Sequence, residues 1–374
     1  MISLEDYVAS FGEEPGYLNF AAEGPPGRAV KDEQYAQMSL LGRARFGTID
    51  SLFEQGDRVR DAVAALTGFA RTQVIFQPST SIGLMHAMFG LTGGVAMSPA
   101  EFPSITYAAV RAAEAIGAVT PIWLETDHGR VTPGNLRSQL DGSVAAVAVS
   151  LVDFRTGYLA DLEGIRQVIG DRLLIVDAIQ GFGVVDAPYE LADVVVAGGQ
   201  KWVRAGWGTG FMALSDRAAA TIVPVVSGFS ATESGLLPLD EVQAPKAGVD
   251  AFQISNPDYI AEARFAAALE EIAEVGVTEI NTSIRDKVTR IIDLADEFAI
   301  PVVSPREVAE RAGIVVIEPR ADQLTVLTAS LFNHGVTTTM RDGKVRLAPH
   351  VSTDEETFEM LRSSFVSFAT AITV

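Results

Sequence analysis

The stretch LLIVDAIQGFGVVDAPYELADVVVAGGQKW, residues 173–202, contains two apolar runs, each with a polar residue of useful chemistry at its end. RLLIVD (172–177) stops at Asp177, and ADVVVAG (192–198) is followed after two residues by Lys201. Both runs are continuously apolar rather than alternating, as in strands covered on both faces. Working outward, QVIFQ (73–77), GVAMS (94–98), VTPIWL (119–124), AAVAVSLV (145–152) and TGFMAL (209–214) have the same character. Helix-period segments such as RVRDAVAALTG (58–68), SIGLMHAMFGL (81–91) and ITYAAVRAAEAIG (105–117) lie between several of them. This alternation predicts an α/β fold built on a mostly parallel seven-stranded sheet. We place it in a large domain at 16–245.

The composition shifts at VSGFSATESGLLPLDEVQAPKAGVD (226–250), a linker or active-site loop whose length favours function. Beyond it, PDYIAEARFAAALEEIAEVG (257–276) and TEINTSIRDKVTRIIDLADEF (278–298) have the periodicity of amphipathic helices. Strand-like IVVIEP (314–319) and KVRLAP (344–349) and a last helix, DEETFEMLRSSFVSFATAI (354–372), complete a smaller α+β domain. Its bounds are 1–15 together with 246–374.

Composition removes several function classes. Against 28 basic residues stand 48 acidic ones, a net charge of −20. Such a surface repels phosphate backbones and anionic membranes, so no nucleic-acid or membrane partner is expected. There is no cysteine, which excludes disulfides, thiolate metal sites and a cysteine nucleophile. His86, His128, His334 and His350 are scattered without ligand spacing, so no metal is expected, and His86 sits in an apolar helix as a core residue. GWGTGF (206–211) leads into a strand, contrary to the dinucleotide fingerprint, and AGGQKW lacks the P-loop spacing. With no apolar run of signal-peptide or membrane-spanning length, a cytoplasmic protein is the simplest expectation.

Ligands of open α/β sheets sit outside the carboxyl ends of the strands. There Asp177 can serve as metal ligand, general base or partner of a cationic ring nitrogen, or simply cap the following turn. Lys201 can form a Schiff base with an aldehyde, or be an ordinary solvated lysine. Together they meet the needs of pyridoxal phosphate: a lysine for the aldehyde, an acid for the pyridinium nitrogen and donors for the phosphate. Gln180 is then a donor to the phenolic oxygen.

With the lysine 24 residues after Asp177 and the glycine-rich segment beyond, this region resembles the class V aminotransferase family, fold-type I enzymes that use pyridoxal phosphate. The likeness runs from YLNFAAEGPPG (17–27) to VRLAPHVSTDEE (345–356). It implies that PSTSIG (78–83) is the phosphate cup, with Ser79 and Thr80 at a helix N-terminus; by themselves these residues are equally an ordinary cap. Gln200 stands where the family's cysteine desulfurases carry a histidine. SNPDY (255–259) resembles the segment that reaches the phosphate across a dimer interface, with Asn256 in place of threonine, which implies a homodimer. Phe102 takes the position of the ring-stacking residue, or else is plain interdomain packing. Arg346 takes that of the fork on the substrate α-carboxylate.

The resemblance also implies a cycle. Lys201, displaced by the substrate amine, removes the Cα proton while Asp177 keeps the ring protonated. A leaving group at Cβ then gives β-elimination; otherwise transamination or epimerisation follows. Desulfuration by the usual route needs a cysteine nucleophile, which this sequence lacks. VDFRTGYL (152–159) resembles kynureninases and ergothioneine-pathway C–S lyases, with Phe154 where desulfurases and many transaminases have asparagine. The slight preference is for a β-lyase, by C–S cleavage or kynureninase-like cleavage, over an aminotransferase or epimerase. A cofactor-binding regulator is the weaker alternative. Asp153 and Arg155 form a local ion pair or line the pocket, and Arg43 and Arg45 bind a second acid group or are surface residues. Substrate specificity is expected in 17–27, 42–50 and 226–250.

Overall fold

The computed structural model describes residues 2–234 and 240–372, so 235–239 of the expected specificity loop lie outside the described residues. Each of the seven apolar runs forms a strand: β1 Val74–Phe76, β2 Gly93–Met97, β3 Val119–Trp123, β4 Val144–Ser150, β5 Leu173–Asp177, β6 Val194–Gly198 and β7 Gly210–Leu214. They make one sheet in the order β1-β7-β6-β5-β4-β2-β3. Pairing is parallel from β6 across to β3, and only β7 runs against its neighbours.

The continuous apolar character has a direct cause. Along β5 and β6, Leu174, Val176, Val195 and Ala197 face one apolar layer, while Leu173, Ile175, Val194 and Val196 face the other. Both layers are sealed by helices, so neither face can afford a polar residue. The helices Thr80–Gly90 and Pro103–Ile116 cover one side. Gly83 lets the first approach β6 closely, since a Cβ there would stand 2.5 Å from Cγ1 of Val196. The other side carries the helices Leu162–Ile169 and Tyr259–Val275; Val277–Glu297 extends the same apolar layer toward the second sheet, where the final helix Glu355–Ile372 packs on the helix Leu324–Asn333. Asp161 and Asp258 cap the first two of these by accepting backbone N–H bonds.

A second, three-stranded antiparallel sheet consists of β8 Val315–Ile317, β9 Thr339–Arg341 and β10 Lys344–Leu347, in the order β8-β10-β9. Strand β9 has no apolar run to announce it. Its signal is the dipeptide Asp342-Gly343, whose φ values of 49° and 77° suit the two-residue turn that matches strand twist. Among the described residues no helix is long and apolar enough to cross a membrane.

Candidate active site

The carboxyl ends of β5 and β6 open into one crevice, and side chains from five segments meet there. Asp177 ends β5 and is buried. Its Oδ1 accepts the Ile179 backbone N–H at 3.0 Å, while Oδ2 is buried with no partner among the described residues. Burial raises the carboxyl to about 6, opposed by the Ile179 N–H and the field of Lys201. Lys201, partly buried in the turn after β6, feels the reverse. Burial lowers its amine to about 8; Asp177 and Glu23 pull it up, and Arg346 and Arg341 press it down. The amine thus answers to all four groups, drawn from residues 23 to 346. Its Nζ stands 5.4 Å from the centre of the Phe102 ring.

Local structure explains these placements. Phe102 is the residue before Pro103 at a helix start, held at the mouth beyond β2. Its ring meets Phe154 edge-on at 5.0 Å. Ser79 caps the helix Thr80–Gly90, accepting the Ile82 N–H at 3.3 Å, so the capping alternative for this serine is realised. Thr80, next in the chain, buries its Oγ1 without a partner among the described residues. A Cβ on Gly198, the last residue of β6, would collide with Oε1 of Gln200 and stand 3.3 Å from Oγ1 of Thr80. The missing side chain leaves a small cradle between the hydroxyl and the amide.

Gln180 is largely committed to structure: its Nε2 donates to Ala21 O at 3.0 Å and its Oε1 accepts the Trp202 indole N–H at 2.8 Å. One amide hydrogen is left over. The turn carrying Lys201 is held from behind by Arg204, which is fully buried. Its guanidinium donates to Pro25 O at 2.6 Å and Ser352 Oγ at 2.8 Å, pairs with Glu13, and lies 3.6 Å from the Phe11 ring centre. Gly24 N–H adds a bond to Gln200 O at 2.8 Å.

Arg346 donates to Phe154 O at 3.2 Å, and its Nε is buried with no partner among the described residues. Burial and the nearby Arg341 lower it to about 10. Asp153 and Arg155 form the local ion pair, at 2.7 Å. Asn256 is exposed and makes no side-chain hydrogen bond to these groups. Arg43 and Arg45 are exposed. Both ring nitrogens of buried His86 lack partners among the described residues, and burial lowers its pKa to about 4.

Two further carboxyls in the crevice escaped the sequence reading. Glu23 is raised to about 7 by burial, with Lys201 opposing. Glu101 accepts from Ser150 Oγ at 2.6 Å and is raised to about 7, chiefly by burial. Neither ends an apolar strand, so only tertiary proximity marks them. Among the described residues no group of acidic and histidine side chains could hold a metal ion.

The unpaired Oδ2 of Asp177, the unpaired Oγ1 of Thr80, the cradle at Gly198 and the lowered amine of Lys201 suit a ring with a cationic nitrogen, an anionic arm and an aldehyde. Pyridoxal phosphate has this donor and acceptor pattern, and the residues present fit it.

Comparisons with known proteins agree. The chain is 24% identical over 341 residues to an uncharacterized aminotransferase of Bacillus subtilis, YcbU, covering 86% of this chain and 89% of that one. Its fold matches a cysteine desulfurase from Thermococcus onnurineus NA1 with a TM-score of 0.82 at 19% identity, covering 96% and 94% of the two chains. The cystine C–S lyase C-DES, solved with its product cysteine persulfide, matches with a TM-score of 0.83 at 18% identity, covering 95% and 97%. The aminotransferase class-V profile matches residues 31–374. The chain therefore belongs to the class V aminotransferase family, enzymes of fold type I that depend on pyridoxal phosphate.

Proposed function

We propose that this enzyme acts at Cα and Cβ of an amino acid, preferentially as a β-lyase. The observation that carries the assignment of roles is the pairing of a buried carboxylate oxygen without a partner, on Asp177, with a partly buried amine of lowered pKa on Lys201. Pyridoxal phosphate, when bound, supplies an electron sink for charge developed at the substrate Cα. Lys201 would hold its aldehyde, Thr80, Ser79 and Gln200 its phosphate, Phe102 its ring face and Gln180 its phenolic oxygen through the one free amide hydrogen. Asp177 would keep a proton on the ring nitrogen, a bond that gives Oδ2 its missing partner.

Arg346 would fork onto the α-carboxylate and so orient the Cα–H toward Lys201. Burial lowers the Lys201 amine to about 8, which favours the neutral form that takes that proton. The absence of cysteine removes the usual desulfurase route, and β-elimination needs no such thiol. A likeness to the C–S lyase C-DES supports the lyase reading. The second reading, an aminotransferase, is favoured by the likeness to YcbU. A homodimer fits the exposure of Asn256 and of Tyr35, Phe46 and Phe53.

The test is spectral and chemical. The purified protein should be yellow, lose that band with borohydride, and remain colourless as Lys201→Ala. Pyruvate and ammonia formed from a sulfur amino acid without added keto acid would establish elimination. A strict keto-acid requirement would replace it with transamination, and a wild-type protein that cannot be made yellow would end the assignment.

A further inference from the structure

The hairpin of β9 and β10 puts four polar side chains on one face. Thr339 stands opposite Arg346, and Arg341 opposite Lys344. Residues two apart on a strand share a face, so all four project together while Val345 and Leu347 enter the core. That face lines a cavity of 480 Å³, which Arg130 and Phe154 also border.

The cavity's charge is opposite to that of the molecule. Arg130, Arg155, Arg341, Lys344 and Arg346 line it against one carboxylate, Asp342, in a chain of net charge −20. Arg155 is neutralised by Asp153 at 2.7 Å, and Lys344 faces Glu318 at 3.5 Å. Arg130, Arg341 and Arg346 have no ion-pair partner among the described residues. Arg130 and Arg346 each bury an Nε that has no acceptor among the described residues. Arg341 lies 5.3 Å from the centre of the Phe154 ring, which itself touches Phe102 beside Lys201. Successive ring contacts through Phe102 and Phe154 thus link the surroundings of the reactive amine to Arg341, and Arg346 lines the same cavity as Phe154 and Arg341. Cations gathered in a partly enclosed space repel one another, and an anion relieves that repulsion.

We propose that Arg341, assisted by Lys344 and Arg130, binds a second acid group on the substrate's side chain, so that the substrates are amino acids with an acidic side-chain terminus. This rests on the reading above in which Arg346 takes the α-carboxylate. Arg341 and Lys344 lie one rung further along the hairpin, about 7 Å away, a separation suited to the two ends of a short diacid.

Calorimetry of the full-length protein with glutarate and butyrate tests this without turnover. Glutarate should bind at least about tenfold more tightly than butyrate, since a charge-assisted bond is gained at the second end. Arg341→Ala should remove most of that advantage, while Arg341→Lys retains part of it; Arg341 is exposed, and a thermal melt confirms that both variants fold. Equal affinities for the two acids, or glutarate binding unaffected by Arg341→Ala, would overturn the inference. Cofactor uptake is followed in the same preparation by absorbance. A yellow protein indifferent to the second carboxylate overturns this inference alone, whereas a colourless one overturns the proposed function.

Discussion

Asp177→Asn should make the cofactor-free protein more stable while crippling it as an enzyme. Burial raises the Asp177 carboxyl from its ordinary 3.8 to about 6. The folded chain then binds a proton that the unfolded chain has released, so ionisation at this site opposes folding. The sign follows: stability is unaffected below about pH 4, falls as the pH rises to about 6, and is flat above. At 1.36 kcal/mol per pH unit, the charge costs about 3 kcal/mol at pH 7.5. Asparagine removes that cost and keeps an acceptor for the Ile179 N–H. It also aims amide hydrogens at the space where Oδ2 has no partner, a penalty of about 1 kcal/mol. The net gain is about 2 kcal/mol at pH 7.5, shrinking to about 0.5 kcal/mol at pH 5. Urea unfolding of both cofactor-free proteins at the two pH values measures it. Turnover should fall by about a hundredfold or more, as an electrostatic partner of the reacting system is lost. An Asp177→Asn protein less stable than wild type at pH 7.5, or a stability difference independent of pH, would refute the argument that this carboxylate is held unpaired against its own solvation.

The remaining predictions concern the amine and the cradle. The lowered pKa of Lys201 means that its neutral form grows as the pH rises, so the rate of pyridoxal phosphate incorporation should climb about tenfold per pH unit and level off above about 8. A climb continuing to pH 10 would contradict the burial. Glu23→Gln removes an anion that holds the amine protonated, and should move the inflection to lower pH. Gly198→Ala places a methyl group against Gln200 and Thr80, and should weaken pyridoxal phosphate binding by about tenfold or more in equilibrium dialysis. Unchanged affinity would mean that the phosphate lies elsewhere.

The sequence alone determined the large sheet, because strands buried on both faces must be apolar at every position. QVIFQ, RLLIVD and ADVVVAG each became β1, β5 and β6 with little change of boundary. It also singled out Asp177 and Lys201, since a charged residue at the end of such a strand or just beyond it breaks an otherwise uniform pattern. What it could not decide was anything that depends on partners distant in the chain. Asp177 Oδ2 and Thr80 Oγ1 are orphaned, Gln180 is bound by Ala21 and Trp202, and Glu23 and Glu101 have raised pKa values. Each is a matter of what tertiary packing brings near and what it shuts out. Likewise no local pattern marks Arg341; an antiparallel register sets it beside Lys344 and one rung from Arg346. Local pattern specifies which elements form, because burial of a strand is written in its own residues. Charge balance in a crevice is a sum over segments that only the folded chain assembles.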